Sequence, residues 1–283
     1  MTFSDINIRD PFVLTDNGKY YLYGTRGAEA WVGGSGFDVY VSSDLENWSE
    51  PHEIFRKSEN FWADRNFWAP EVHKYKDKYY LLASFKSDDR CRGTQILIAD
   101  SPLGPFIEHS DGPVTPEDWE CLDGTLYVDK NGSPYMVFCH EWTQVHDGQM
   151  CALKLSDDLS RAEGEAFVLF SASQPSWSRK GHDHYVTDGP FMYRTQSGRL
   201  LMIWSSFTDE GYCEAISYSD NGEITGNWLH EDELLFKKDG GHGMLFNSYD
   251  GELNFIFHTP NENPLERPCI RLVEEKRDTL CVK

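Results

Sequence analysis

The chain repeats one arrangement of apolar and polar positions five times. Each copy starts with a short polar or small segment, runs through an apolar strand, turns at a polar pair and returns through a strand rich in aromatic residues. Three of the turns are Asn17-Gly18, Asn131-Gly132 and Asp250-Gly251. Such pairs between apolar runs predict β-hairpins, because both turn residues must adopt positive φ. The copies therefore indicate five consecutive hairpins.

A third strand follows the hairpin in several copies, as in residues 38–44, 95–101 and 214–220. Trp48, Phe106 and Trp228 come next at similar offsets, which predicts an outer fourth strand. Repeats of four strands are typical of β-propeller blades, whose apolar faces only neighbouring blades can cover. We therefore predict an all-β, five-bladed β-propeller that spans residues 1–283 as a single domain.

The charge balance restricts the classes of partner. The 283 residues include 26 Lys and Arg against 47 Asp and Glu, a net charge of −21. A chain this acidic repels phosphate backbones and anionic lipid, so we expect neither nucleic-acid nor membrane partners. A neutral ligand fits this field better than an anionic one. Aromatic residues make up 14% of the chain, and their flat faces suit both a β-sheet core and sugar rings.

The cysteines and the N-terminal sequence bear on the cellular compartment. Seven cysteines are scattered without a CxxC pair, which favours free thiols in a reducing environment over a disulfide framework or a zinc site. No apolar run resembles a signal peptide or a membrane span. We expect a cytoplasmic protein.

The starts of the five copies hold the candidate chemistry. The first strand of each propeller blade lines the central axis, so these starts should converge at one hub. They supply three aspartates, a glutamate and a histidine: Asp10, Glu71, Asp123, Asp188 and His242. A single Asp before Gly or Pro is usually a turn former, but three in register favour a functional cluster. Clustered carboxylates raise one another's pKa, and glycoside hydrolysis needs one protonated carboxyl beside one ionised carboxylate.

The order of these segments resembles glycoside hydrolase family 43. The resemblance covers nearly the whole chain and rests on residues 9–11, 67–72, 122–124, 188–190 and 241–243. It implies a five-bladed propeller and an inverting mechanism, in exo-acting or endo-acting enzymes. Members of the family often carry a C-terminal β-sandwich. This chain stops after the fifth copy, so we expect that module to be absent.

The resemblance also implies roles for the aspartates. Asp10 matches the general base, and Asp123 matches the carboxylate that orients the acid and tunes its pKa. Asp188 stands at the general-acid position, where the family usually has Glu. Because Asp is one methylene shorter, Asp188 acts with a repositioned substrate, or Glu141 reaches the site instead. A solvated or salt-bridged loop residue is an equally good interpretation of Glu141.

Further residues are weighed against structural roles. His242 matches a histidine that helps to hold a central metal ion, commonly calcium and mostly through water, and a buried, hydrogen-bonded structural histidine is the alternative. The spacing of His182 and His184 suits metal ligands, but no third ligand stands nearby, so a wall of the site is favoured.

Three residues are candidates for substrate binding. Phe67 and Trp68 resemble an aromatic platform beside the sugar, with core packing as the competing interpretation. Arg267 resembles a family arginine that reaches the hub, and a salt bridge at the rim would explain it equally well.

These observations predict an inverting exo-glycosidase on short, neutral, pentose-containing oligosaccharides, with α-L-arabinofuranosidase activity first and β-xylosidase activity second. The alternatives are a hydrolase or phosphorylase acting on hexosides and a propeller that binds carbohydrate without hydrolysing it. The chemistry requires no redox or nucleotide cofactor, since no Gly-rich phosphate loop stands between a strand and a helix. Structural calcium at the hub is the metal that the resemblance suggests. The oligomeric state is left open.

Overall fold

A computed structural model of the chain describes residues 1–181 and 183–283. Its main elements are five antiparallel sheets, each of four strands that follow one another along the chain. Blade one contains β1 (Ile8–Asp16), β2 (Lys19–Arg26), β3 (Gly36–Ser42) and β4 (His52–Arg56). Blade two contains β5 (Arg65–Tyr75), β6 (Lys78–Lys86), β7 (Gly93–Ala99) and β8 (Ile107–Pro113).

The remaining blades repeat this order. Blade three contains β9 (Cys121–Val128), β10 (Pro134–His140), β11 (Gln149–Lys154) and β12 (Phe167–Ser171). Blade four contains β15 (Asp188–Arg194), β16 (Leu200–Thr208), β17 (Gly211–Ser219) and β18 (Trp228–His230). Blade five contains β19 (Gly241–Asn247), β20 (Leu253–Thr259), β21 (Arg267–Lys276) and β22 (Thr279–Val282).

Within residues 1–181 and 183–283, the short elements outside the blades are a 3₁₀ turn at Phe3–Asp5, the helix α1 (Trp142–Val145) and a two-stranded sheet of β13 (Lys180–Gly181) and β14 (His184–Tyr185). Among the residues that the structure describes, no helix is long and apolar enough to cross a membrane.

The predicted five-bladed propeller is confirmed. The strands β1, β5, β9, β15 and β19 contact one another in a closed ring and form the hub. The predicted outer positions are right only in part. Trp228 opens β18, whereas Trp48 and Phe106 precede β4 and β8. All seven cysteines are free thiols, as expected.

Apolar side chains from facing sheets fill the spaces between blades. Between blades one and two, Phe37, Phe55, Phe67 and Phe85 form a buried aromatic cluster with ring centroids 4.9–6.4 Å apart. Phe67 is only 4% exposed and belongs to this core. The prediction that Phe67 forms a sugar platform is therefore wrong. Its side chain points away from the axis, while the neighbouring Trp68 faces the hub.

Every hub strand is bulged at the same place, where the ladder to its second strand skips two residues. One residue in each bulge has positive φ, between 46° and 57°: Asp10, Ala69, Asp123, Gly189 and His242. Positive φ is unfavourable for residues other than Gly and clusters at functional sites. The bulges thus turn one residue per blade toward the axis.

Side chains from the second strands fix these bulges across blade boundaries. The backbone N–H of Ala69 donates to Thr25 Oγ1 (2.7 Å), and that of Asp123 donates to Ser84 Oγ (2.9 Å). Similarly, the N–H of His242 donates to Ser205 Oγ (2.6 Å). Each acceptor belongs to the preceding blade and pairs with the last residue before that blade's own bulge. These bonds set the relative position of adjacent hub strands.

The same kind of bond closes the ring between blades five and one. The N–H of Asp10 donates to His258 Nδ1 at 3.3 Å. Asn7 Nδ2 donates to the carbonyl oxygens of Pro264 and Glu266, each at 3.0 Å, and Arg9 Nη1 donates to Glu266 Oε1 at 2.7 Å. The first and last blades are therefore joined by side chains, without a strand shared between the ends of the chain.

Candidate active site

A cavity of about 610 Å³ opens at the end of the hub where the bulges lie. It is lined by charged and aromatic groups from all five blades and from α1 and β14. They include Arg9, Asp10, Trp31, Trp68, Asp123, Glu141, Trp142, His184, Asp188, Tyr212, His242 and Asn261. The structure thus brings together the three predicted aspartates, Trp68, Glu141 and His242.

The three aspartates are not equivalent in register. Asp10 and Asp123 are the positive-φ residues of their bulges, but in blade four that residue is Gly189. Asp188 pairs with Ser205 and therefore corresponds to Arg9, Trp68 and Leu122 in the other blades. The expectation of three aspartates at one equivalent position is corrected here. Asp188 reaches the cavity from one residue earlier, on its wall.

Asp10 is held in a buried position at the hub. Thr25 Oγ1 donates to its Oδ2 at 2.6 Å, and His242 Nδ1 lies 3.2 Å from its Oδ1. Burial would raise the pKa of Asp10, but His242, Arg9 and the Thr25 hydroxyl together lower it below its ordinary value. Asp10 is therefore a carboxylate at neutral pH, as a general base must be.

His258 and Asn261 hold the backbone of Asp10. Burial lowers the pKa of His258 to about 3, so the ring is neutral. Arg9 Nη2 donates to Asn261 Oδ1 at 3.0 Å, and His258 Nε2 lies 3.2 Å from the same oxygen. Since that oxygen can only accept, Nε2 carries the proton and Nδ1 is free to accept the N–H of Asp10.

Asp123 and Asp188 form a coupled pair of carboxyl groups. Burial and the charge of Asp10 raise the pKa of Asp123 well above its ordinary value. Desolvation and the charge of Asp123 raise the pKa of Asp188 to about 8, although Tyr212 donates to its Oδ2 at 3.0 Å. The N–H of Gly189 donates to Asp123 Oδ2 at 3.0 Å, which favours the ionised form of Asp123. The pair therefore shares a proton at neutral pH, and the hydrogen bond from Gly189 to Asp123 favours Asp188 as its carrier.

Blade three departs from the pattern of bonds between blades. Cys139 pairs with Leu122 and occupies the place that Thr25, Ser84, Ser205 and His258 take elsewhere. A thiol sulfur is a weak acceptor. The N–H of Gly189 is therefore available to Asp123.

Glu141 lies in the cavity wall but is not free. It is 4% exposed and accepts a hydrogen bond from Arg92 in a buried ion pair. The Arg92 guanidinium also lies over the Trp68 ring, 4.5 Å from its centroid, and Arg92 Nη2 donates to Asn66 Oδ1 at 3.1 Å. The contact with Arg92 engages Glu141 as a hydrogen-bond acceptor, which favours sugar binding over acid catalysis for this residue.

The structure places Arg267 outside the cavity. It donates to the backbone carbonyls of Ser4, Pro264 and Glu266. The prediction of a hub arginine at this position is wrong, because the strand turns this side chain toward the N-terminal segment. Arg9, next to Asp10, reaches the cavity instead, 5.4 Å from the Trp31 ring centroid.

The hub was also expected to hold calcium near His242. His242 Nδ1 lies 3.2 Å from Asp10 and 3.7 Å from Asp123 Oδ2. Within residues 1–181 and 183–283, no three His, Cys, Asp or Glu side chains form a group that could hold a metal ion. Calcium takes six to eight oxygen ligands. Water would supply most of these ligands around His242, so a metal at the hub stays a prediction.

Several site residues carried no signal in the sequence. Tyr212 lines the cavity and Glu214 is buried on the same strand, β17, where the sequence predicted a third strand over residues 214–220 but no functional residue. Glu214 is fully buried, and its Oε2 accepts from Ser205 Oγ (2.6 Å) and the N–H of Gly243 (3.2 Å). Burial raises the pKa of Glu214 to about 8. His182 lies outside the described residues, and His184 is at the cavity wall, as favoured.

Comparisons with known proteins agree with this architecture. Residues 3–278 match the family model described as glycosyl hydrolases family 43. An extracellular exo-α-(1→5)-L-arabinofuranosidase of Cellvibrio japonicus is 25% identical, and the match covers 89% of this chain and 81% of that protein. An extracellular endo-α-(1→5)-L-arabinanase of Bacillus subtilis is 26% identical over 83% and 71%. The crystal structure of an endo-arabinase from Bacteroides thetaiotaomicron superposes with a TM-score of 0.91 at 38% identity, covering 98% of both chains.

Proposed function

Since the chain belongs to glycosyl hydrolase family 43 and so hydrolyses O-glycosyl bonds, we propose that it removes terminal α-L-arabinofuranosyl units from short oligosaccharides with inversion. One observation carries this proposal: a single cavity holds Asp10 with a lowered pKa and Asp188 with a pKa raised to about 8. Two carboxyl groups tuned in opposite directions are what acid–base hydrolysis of a glycoside requires.

The reaction is a single displacement. Asp10 takes a proton from a water molecule while the water oxygen attacks the anomeric carbon. The bond from that carbon to the leaving oxygen breaks, and Asp188 gives its proton to the leaving oxygen. The products are a free sugar of inverted configuration and a shortened alcohol. Asp123 acts on Asp188 through its charge, which keeps Asp188 protonated until the leaving oxygen needs the proton.

Aromatic side chains at the cavity wall support sugar binding. Residues 27–35 bring Trp31 to the cavity, and α1 and β14 bring Trp142 and His184. Trp31 and Trp68 meet edge to face with centroids 5.3 Å apart, so that their apolar surfaces can face a sugar ring. We infer that a terminal furanose enters this cavity and that Glu141 accepts a hydrogen bond from a sugar hydroxyl.

A second activity and the cellular location are also proposed. β-Xylosidase is the second choice of activity, because the same acid–base pair suits either pentose. We propose a cytoplasmic location because the cysteines are free thiols, whereas both curated relatives described above are named extracellular. Small oligosaccharides would be the substrates inside a cell.

A carbohydrate-binding propeller without turnover is the second candidate. The observation that favours it is Asp188 itself, one methylene shorter than the Glu usual at this position. The pKa of Asp188 is raised despite the hydrogen bond from Tyr212, which argues instead that this carboxyl carries a transferable proton.

The test is incubation with α-1,5-linked arabino-oligosaccharides and with xylo-oligosaccharides, followed by proton NMR of the first product. We expect single arabinose units released as the β-anomer. Asp10→Asn should abolish turnover, whereas Asp111→Asn, at an exposed position on β8, should not. First release of the α-anomer would exclude inversion. Sugar binding without hydrolysis by the unmodified chain would establish the binding propeller instead.

A further inference from the structure

Two histidines meet at the mouth of the cavity and have no part in the proposed chemistry. His146 follows the last residue of α1, and His184 opens β14. Their Nδ1 atoms are 3.3 Å apart, and their ring centroids are 5.1 Å apart with the planes tilted by 32°. The nitrogens are closer than the centroids, so both Nδ1 atoms face the space between the rings.

These two distances match the geometry of two imidazoles on one tetrahedral ion. Zinc–nitrogen bonds of about 2.0–2.1 Å at a tetrahedral angle place the two nitrogens about 3.3–3.4 Å apart. Because the lone pair lies on the line from ring centroid to nitrogen, the same arrangement places the centroids about 5.2 Å apart. A direct hydrogen bond between the rings explains the first distance only if one Nδ1 is protonated and the other is not.

The backbone holds the two histidines side by side. The N–H of Tyr185 donates to the carbonyl of His146 at 3.1 Å, and the N–H of Gly148 donates to the carbonyl of Tyr185 at 2.8 Å. A bridge between Asp147 and Tyr185 completes this junction of the two loops. These bonds set the spacing of the two main-chain segments, so binding an ion requires little backbone rearrangement.

We propose that His146 and His184 form a bidentate site for a divalent cation of the zinc and copper class, with water completing the coordination. Imidazole nitrogen selects these ions over calcium and magnesium, which prefer oxygen ligands. The net charge of −21 favours the approach of any cation. Two protein ligands distinguish this site from structural zinc sites, which use four.

Calorimetric titration of the whole chain with Zn²⁺ tests the proposal. We expect one equivalent to bind in the micromolar range. His146→Asn keeps a residue that tolerates positive φ at this position (φ 62°) and removes one nitrogen ligand. That variant and His184→Gln should each weaken binding roughly tenfold or more. The matched control is His52→Asn, at an exposed histidine on β4, and should bind as the unmodified chain does.

The variants also separate this site from the free thiols, since thiol binding would be unchanged in all three. With Cu²⁺, electron paramagnetic resonance should show coupling to two nitrogens in the unmodified chain and to one in either histidine variant, while circular dichroism confirms that each variant is folded. Unchanged affinity in His146→Asn, weakening in only one of the two variants, or no saturable binding by the unmodified chain would overturn the proposal.

Discussion

At the scale of single residues, the proposed reaction depends on how neighbouring groups raise or lower the pKa values of three carboxyl groups, Asp10, Asp123 and Asp188. Asp10 is stabilised as a carboxylate by His242, Arg9 and Thr25, whereas Asp188 keeps its proton because it is desolvated and lies near Asp123. Activity requires Asp10 ionised and Asp188 protonated. We therefore expect kcat/KM to fall on the acid side only below the ordinary range of Asp, and on the basic side near pH 8.

Tyr212 gives a directional test of the basic side. Its hydroxyl donates to Asp188 Oδ2 and stabilises the ionised form of that carboxyl. In Tyr212→Phe the pKa of Asp188 should rise, and the basic limb of kcat/KM should move to higher pH. The control is Tyr193→Phe, whose hydroxyl donates to Glu275 in blade five. If the basic limb stays at the same pH, the ionisation of Asp188 does not set the pH dependence of kcat/KM.

Glu141 is predicted to bind sugar rather than to act as the acid. Glu141→Gln keeps the shape and loses the charge, so kcat/KM should fall roughly tenfold or more for both 4-nitrophenyl and natural substrates. Equal losses indicate lost binding to the sugar, because the leaving group does not enter that interaction. A loss confined to the natural substrate would instead make Glu141 the acid.

At the scale of elements, the bulged hub strands show where one blade differs from the rest. In four blades a hydroxyl or imidazole accepts the N–H of the next bulge, and Cys139 interrupts the series. Asp123 takes the N–H of Gly189 in its place. The pKa of Asp188 thus depends on the Cys139 sulfur being a poor hydrogen-bond acceptor.

Cys139→Ser should restore the missing acceptor. A serine hydroxyl would compete with Asp123 for the N–H of Gly189, so the ionised form of Asp123 would be less stable and would raise the pKa of Asp188 less. We expect the basic limb of kcat/KM to move to lower pH, opposite to Tyr212→Phe. Cys151→Ser, a buried cysteine on β11, controls for a new buried hydroxyl and should leave the limb in place. Identical profiles for the two serine variants would refute this role of Cys139.

The fold could be read from the sequence because hairpin turns and aromatic strands are local features that repeat. The register offset of Asp188 could not be predicted, because the sequence is Asp-Gly at both 123 and 188. Only the structure shows that the residue with positive φ is Asp123 in blade three and Gly189 in blade four. Arg267 and Phe67 failed for a related reason, because a motif gives a position but not the direction of its side chain. His258 and Tyr212 come from second and third strands, which carry no motif.

At the scale of the whole molecule, stability depends on joining the first and last blades. Arg9 and Glu266 form a partly buried ion pair across this junction, with Glu266 0% exposed. Glu266→Ala removes a charged hydrogen-bond partner of Arg9, which keeps Asn261 and the more distant Asp10, and should lower the free energy of unfolding by about 2 kcal/mol in urea denaturation. Glu233→Ala, which removes an exposed partner of Lys237, should change it little. Equal effects would show that the junction does not limit stability.

Asp188→Asn, compared with the unmodified chain on two substrates, tests whether Asp188 supplies the proton to the leaving oxygen. The 4-nitrophenolate group leaves an arabinofuranoside without being protonated, whereas the sugar leaving group of arabinobiose needs a proton from the acid. We predict that the variant loses roughly 100-fold or more in kcat/KM on arabinobiose and keeps most of its rate on the nitrophenyl substrate. Equal losses on both substrates would contradict the assignment and leave the acid elsewhere in the cavity.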